Sequence, residues 1–258
     1  MPLTLAHAAA APVLWWLARR RLVLSAVVVG AMSPDFEYLL RLAPQRTIGH
    51  TPLGVAVFCV PASLVVLAVW HRLVGPAFAP SLPGGWGAAA GRPFRFGPAS
   101  RFVLVGVSAA AGAFSHIAWD AFTHGGPMVT RHGLLSDPVW AGGPDGYLVA
   151  WWVSSIVGVL VVAWWLVRLA HVAAPAGAPA RSTDPARVAV LARPGLRLRP
   201  WAVVAAGAAG LAAVNATRLA EVGAEPQQVL IAGVLGAMAG TAVAAVAASA
   251  VLRSRSAR

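Results

Sequence analysis

The sequence predicts an all-α fold, a polytopic membrane helical bundle of about seven membrane segments. Three observations carry this expectation. The 258 residues are 59% hydrophobic and only 11% charged, whereas a soluble domain normally carries about 25% charged residues. Several apolar runs approach or exceed the ~18 residues that cross a ~30 Å hydrocarbon core. The basic residues collect at the ends of those runs rather than inside them.

Taken in order, residues 2–18 form an apolar segment barely long enough to span, with Pro12 placed to kink it. Residues 22–40 make a second segment, interrupted at Ser33-Pro34-Asp35. Proline suits the first turn of a helix better than its middle, so Ser33 is expected to cap a short helix that Asp35 opens near the membrane surface. Residues 51–70 begin with Thr51-Pro52, the same start signal, which leaves His50 just outside a helix N-terminus; Pro61 predicts a kink. Residues 75–100, rich in Gly and Pro, predict a loop. The span 102–123 follows, then a polar loop at 125–146 in which Asp137 and Asp145, beside Pro and Gly, read as turn formers. Residues 147–170 carry Trp151, Trp152, Trp164 and Trp165 near their two ends, as an aromatic belt requires. The resulting domain plan is a membrane-embedded metal-site domain at 1–172, a cytoplasmic Pro/Ala/Arg linker at 173–199, and a C-terminal Ala/Gly-rich transmembrane hairpin at 200–258. On the last span, at about 229–252, Gly236-xxx-Gly240 permits close helix contact.

All 20 basic residues are Arg, and the formal net charge is +12. In a soluble protein that excess would suggest nucleic acid as partner. Placed at the ends of apolar runs, the arginines instead fix topology and meet lipid headgroups, so the expected partner is the lipid bilayer and no nucleic acid. If the spans alternate, Arg41, Arg46, Arg131 and Arg218 fall on one side and the other sixteen of the 20 on the opposite side. The positive-inside rule makes the arginine-rich side cytoplasmic, with the C-terminus there, in a multi-pass protein of the cell membrane. Cys59, the lone cysteine, cannot form an internal disulfide.

The acidic residues and histidines gather toward the other side. His116 and Asp120 stand one helical turn apart on one face, with His124 a further turn on. At a rise of ~1.5 Å per residue, His116 lies ~22 Å and Asp120 ~28 Å beyond Arg101, Asp35 ~21 Å beyond Arg21, and His7 ~18 Å from Arg19. His50 opens its helix at the same outer depth. Ionisable groups in an apolar setting are costly without a partner and mark functional sites. His7, Asp35, His50, His116, Asp120 and His124 therefore form a candidate site for one or two divalent metal ions. Nitrogen and oxygen donors without thiolate suit Zn²⁺ first, and also Mn²⁺ or Fe²⁺. Metal binding brings the pKa of bound water toward ~7 and so supplies a nucleophile, with Asp120 and His124 as candidate catalytic groups. His132 is a further candidate in the outer loop, and Glu37 either supports the site or simply pairs with Arg41. His71 and His171, next to arginines on the cytoplasmic side, read as interface anchors.

Four blocks carry a resemblance: Met1-Pro2-Leu3-Thr4-Leu5-Ala6-His7, Met32-Ser33-Pro34-Asp35-Phe36, Gly49-His50-Thr51, and the run from Ser115 to His124. They look like the signature blocks of bacterial membrane proteins in the domain-of-unknown-function family numbered 4184, similar in motif order to inner-membrane metal-dependent hydrolases. The blocks cover roughly residues 1–170. The order His, Asp, His, then His-xxx-Asp also resembles, more distantly, the all-helical zinc-dependent phospholipase C and single-strand nuclease fold. That resemblance implies Asp35, His50, His116 and Asp120 as ligands of one ion, Asp120 bridging to a second held partly by His7, and His124 or His132 where further ligands stand. The chain departs from it in having no later His-xxx-Glu pair, so a third ion is not implied.

The expected function is a membrane-bound metal-dependent hydrolase that acts at the outer face on a phosphoester or other ester of a lipid-like substrate. Two rivals stand beside it: a non-catalytic metal-binding membrane protein, such as a sensor or transport component, and a structural membrane protein whose His and Asp residues pair without metal.

Overall fold

The computed structural model describes residues 4–82, 84–91, 97–173 and 194–255. Among them the regular elements are helices, and the one extended pairing is an isolated bridge between Pro138 and Asp145. Five helices are long and apolar enough to cross a membrane: Pro52–Ser81, Ala99–Thr130, Gly146–His171, Pro200–Glu221 and Gln228–Ser254. Only 11% of the most apolar window of Gly146–His171 is buried within the protein. Its exposed side chains include Val153, Ile156, Val157, Leu160 and Trp164. An exposed apolar face of that extent is consistent with membrane association.

The two segments read at 2–18 and 22–40 are helical but shorter. Helices α1 (Thr4–His7) and α2 (Ala10–Leu17) are separated by a turn at Ala8–Ala9. That break falls one turn ahead of Pro12, and the Ala11 N–H takes the Ala8 carbonyl that Pro12, lacking an N–H, cannot reach. Helix α3 (Leu24–Met32) passes through a 3₁₀ turn at Ser33–Asp35 into α4 (Phe36–Arg41). The expected cap is absent: Ser33 donates its hydroxyl back to the Gly30 carbonyl at 2.7 Å, beside its own N–H. Gly30 carries the acceptor left over by Pro34, so the helix tightens there instead of stopping.

Helix α5 (Pro52–Ser81) corrects the loop expected from residue 75. It contains two π-helical turns, Val55–Cys59 and Trp70–Val74, each just ahead of a proline, Pro61 and Pro76. A wide turn relieves the clash between a proline ring and the carbonyl four residues back. For Pro76 that carbonyl is Arg72, which accepts a 2.7 Å hydrogen bond from Arg253 Nη1. Helix α6 (Gly84–Ala90) occupies more of the expected loop. Then come α7 (Ala99–Thr123), α8 (Pro127–Thr130), α9 (Gly146–Ala173), α10 (Pro194–Glu221) and α11 (Pro226–Arg255). α10 thus begins inside the stretch read as a linker; residues 174–193 of that linker lie outside the described residues.

The chain divides into two compact units. The first comprises Met1–Phe36, Arg46–Leu67 and Phe96–Leu166. In it α3 and α7 approach closely, because a Cβ on Gly30 would overlap the Ala109 carbonyl and one on Gly112 the Val27 carbonyl. Val55, Cys59 and Ala113 form a buried cluster that ties the start of α5 to α7. Gly158 of α9 gives similar room to Ala6. The second unit comprises Glu37–Gln45, Ala68–Arg95 and Val167–Arg258. There α10 and α11 pack closely, as the glycine spacing permits: a Cβ on Gly236 or Gly240 would overlap the carbonyls of Leu211 and Gly207. Asn215, buried, donates to the carbonyls of Ala232 and Leu42.

Candidate metal centre

Every candidate ligand belongs to the first unit. His7 ends α1, Asp35 sits in the 3₁₀ turn, His50 lies two residues before α5, and His116 and Asp120 are one turn apart on α7. His50 is fixed by its neighbours. Thr51 caps α5 as its sequence predicts, accepting the Gly54 N–H at 2.9 Å while donating to the Ile48 carbonyl at 2.8 Å. Cys59 Sγ, buried in the first π turn, donates to the Gly49 carbonyl at 3.3 Å. Gly54 is glycine because a Cβ there would overlap the Ile48 carbonyl.

His116 is held by backbone. Its Nδ1 lies 2.7 Å from the Ala31 carbonyl, an atom that only accepts, so Nδ1 carries the proton and Nε2 is the free donor atom. The close packing of Gly112 and Gly30 is what lets α3 present that carbonyl to the α7 ring. Asp35 is oriented by Thr4, whose hydroxyl donates to Oδ2 at 2.7 Å and leaves Oδ1 for the cluster.

Four atoms then face one another. His50 Nε2 lies 3.5 Å from Asp35 Oδ1 and 3.5 Å from Asp120 Oδ2. His116 Nε2 lies 3.6 Å from each of the same two oxygens. These separations exceed a hydrogen bond. Each is close to the ~3.4 Å between two ligand atoms ~2.1 Å from one ion, while Asp35 and Asp120 fall in different groups of donor atoms that lie within 4.8 Å of one another. Asp120 also turns its Oδ1 toward His7 Nε2 at 3.4 Å and His124 Nδ1 at 3.5 Å. The His7 and His116 rings stack with centroids 3.6 Å apart. All five side chains from His7 to Asp120 are at most 9% exposed.

Two overlapping triads, His7/Asp35/His116 and His50/His116/Asp120, each bring one donor atom per residue within 4.8 Å and can hold a metal ion. The donor chemistry fits such an ion. His7 Nε2, His116 Nε2 and Asp120 Oδ1 are buried without a hydrogen-bond partner among the described residues. With Nδ1 protonated, a neutral His116 would aim a lone pair at two carboxylate oxygens, a conflict that a shared cation removes. His50 lies outside the long apolar spans. Burial, the largest influence, disfavours its charged form; the carboxylates of Asp120 and Asp35, each 3.5 Å away, favour that form, and its pKa is raised above the ordinary value.

His124 departs from the expected helical turn. α7 ends at Thr123, and His124 is extended (φ −129°, ψ 164°), with Nδ1 3.2 Å from the Asp120 carbonyl. That nitrogen is a hydrogen-bond donor, and His124 joins neither triad. His132 is exposed and joins neither. Glu37 is buried and bound by Arg41 Nε at 3.1 Å. The residue that sequence reasoning missed is Arg46, whose Nη2 lies 2.8 Å from Asp120 Oδ2. As an arginine at a span end it reads as a topology residue, and no local sequence signal places it beside Asp120.

A family model described as "Domain of unknown function (DUF4184)" matches residues 1–250, which extends well past the four motif blocks. No curated protein and no solved structure matches the chain.

Proposed function

The chain belongs to the DUF4184 family, and from the cluster it carries we propose a membrane-bound metal-dependent hydrolase acting on a phosphoester or other ester of a lipid-like substrate. The observation that supports this reading is the pair of buried imidazoles, His50 and His116, each with Nε2 3.5–3.6 Å from a carboxylate oxygen of both Asp35 and Asp120. Those four residues hold the ion, Zn²⁺ by preference of the donor set and Mn²⁺ or Fe²⁺ otherwise. Bound there, a divalent ion acidifies water enough to provide a nucleophile at neutral pH. His7 supports the second oxygen of Asp120. Asp120, between His7 and His124, accepts a proton, and His124, anchored through Nδ1 at the end of α7, delivers one to the departing oxygen.

The membrane setting belongs to the same proposal. The two short N-terminal helical stretches add two segments to the five long helices, giving seven. The arginine bias sets the site toward the extracytoplasmic side of a bacterial cell membrane, with the C-terminus cytoplasmic. At that depth the groups within reach are those of amphiphiles.

One observation favours a second reading. Were His50, His116, Asp35 and Asp120 all to hold one zinc ion they would close its shell, and closed shells are structural whereas catalytic ones keep a position open. A sensor or transport component would therefore bind metal without turnover, and a purely structural protein would bind none. Elemental analysis of purified wild type beside Asp120→Ala and His116→Ala tests the centre: metal in the first and loss in both variants is expected. Equal metal in all three refutes it. A panel of lipid phosphoesters then separates hydrolase from sensor, since metal without turnover leaves only the second.

A further inference from the structure

The end of α2 carries strain that its backbone does not need. The helix closes at Ala18; beyond it the Arg19 N–H donates to the Trp16 carbonyl at 2.9 Å and the Arg20 N–H to the Trp15 carbonyl at 2.7 Å. This pair of bonds makes the helix-ending turn in which glycine is usual, because the residue after the cap turns left-handed. Here two consecutive arginines do so, Arg19 at φ 51° and Arg20 at φ 61°. Each brings a Cβ that crowds its own backbone, which glycine would not. Strain kept at an exposed turn points to a use for the side chains.

Those side chains line an open concavity of about 460 Å³ together with Trp16 and Leu17. Arg20 lies over the Trp15 ring, 5.2 Å from its centroid. Such stacking uses the face of a guanidinium and leaves its N–H edge for hydrogen bonds. Among the described residues no ion pair engages Arg19 or Arg20. Along the helix, Val13, Trp16 and Leu17 share one face at the i, i+3, i+4 spacing, and each is more than half exposed. The surface is therefore hydrocarbon along its flank and doubly positive at its end.

We propose that the end of α2 seats one anionic glycerophospholipid, its phosphate between Arg19 and Arg20 and an acyl chain along Val13, Trp16 and Leu17. Guanidinium forks match phosphate oxygens in pairs, and the concavity falls within the ~300–1,000 Å³ of small-ligand sites. A soluble phosphate ester would leave the apolar flank uncovered. A second copy of the chain packed symmetrically here would set arginine against arginine. The site stands apart from the His/Asp cluster and does not depend on the metal reading.

The test titrates the full chain in detergent with dioleoyl phosphatidylglycerol, read by native mass spectrometry, in wild type, Arg19→Gly, Arg20→Gly and Arg21→Gln. Each variant loses one positive charge, and Arg21 does not line the concavity. Arg19→Gly and Arg20→Gly are each expected to weaken lipid binding about tenfold, the loss of a charge-assisted hydrogen bond, while Arg21→Gln stays close to wild type. Glycine suits both turn positions, so the melting temperature without lipid should hold or rise in those two variants. Unchanged binding in them overturns the proposal. So does a lower melting temperature in both, which would make the arginines part of the turn. Equal weakening by Arg21→Gln would reduce the effect to net charge, and phosphatidylcholine bound by wild type as tightly as phosphatidylglycerol would remove the anionic preference; either result overturns it. Displacement of the lipid by equimolar glycerol 3-phosphate would assign the seat to a soluble ester, and a wild-type dimer that Arg19→Gly dissociates would assign the face to a second copy. Each of these also ends the proposal.

Discussion

Gly112→Ala is the smallest change that reaches the candidate metal centre without touching a proposed ligand. Its new Cβ would overlap the Val27 carbonyl and stand 2.6 Å from Ala31 N, where ordinary contact begins at 3.4 Å. α3 and α7 must therefore part by at least 0.8 Å (3.4 − 2.6) at this level. One turn along α7, the 2.7 Å contact between His116 Nδ1 and the Ala31 carbonyl would stretch to about 3.5 Å, beyond hydrogen-bond range. His116 would lose its fixed orientation, and Asp35, which follows Ala31 by one turn, would move with α3. Loss of such an outer partner lowers metal affinity roughly 10- to 100-fold, and the overpacking costs about 1–3 kcal/mol. Zinc affinity by competition with a chromogenic chelator, and thermal unfolding in detergent, measure both effects. Gly106→Ala, on the same helix, is the control: its Cβ would meet only Val60 Cγ1 at 3.7 Å. If Gly112→Ala binds zinc as Gly106→Ala and wild type do, the account of how His116 is held is wrong.

Three further outcomes follow from other parts of the site. Thr4→Val removes the 2.7 Å hydrogen bond to Asp35 Oδ2; zinc affinity should drop about tenfold, as for other outer partners, and an unchanged chelator titration would contradict that. Zinc should leave on acidification through competition by protons. Because Asp120 and Asp35 outweigh burial and raise the pKa of His50, this competition should begin above the ordinary histidine value near 6.5; full retention at pH 5 in equilibrium dialysis would refute it. Leu135 is 44% exposed and has φ 61°, so Leu135→Gly should relieve strain and raise stability by about 0.5–1 kcal/mol net of glycine's own entropy cost, read as a higher melting temperature in detergent.

Much of the centre was legible because helical periodicity and rise are arithmetic. His116 and Asp120 share a face at a spacing of four, and counting from the arginine ends put His7 and Asp35 toward the same end of their helices as His116. Thr51-Pro52 announced the start of α5 and hence the place of His50. What escaped was whatever depended on a partner atom from elsewhere in the chain. Ser33 looked like a cap, but the missing N–H of Pro34 made the Gly30 carbonyl its better acceptor. Pro76 read as a loop signal, whereas a π turn and Arg253 accommodate it within a helix. Arg46 was counted among topology-setting arginines because nothing in its neighbourhood shows that a carboxylate lies 2.8 Å away. His124 follows the spacing, yet α7 ends one residue earlier and turns its ring to the Asp120 carbonyl.

The contact between His116 and the Ala31 carbonyl has a consequence for how this chain can drift. The acceptor is main chain, so every amino acid at position 31 offers it equally. Selection there acts on bulk alone, because Ala31 is fully enclosed and abuts the notch left by Gly112. Positions 30, 31 and 112 are thus constrained by volume while the ligands are constrained by chemistry. A saturation library across those three sites should retain metal according to side-chain size, with polarity making little difference.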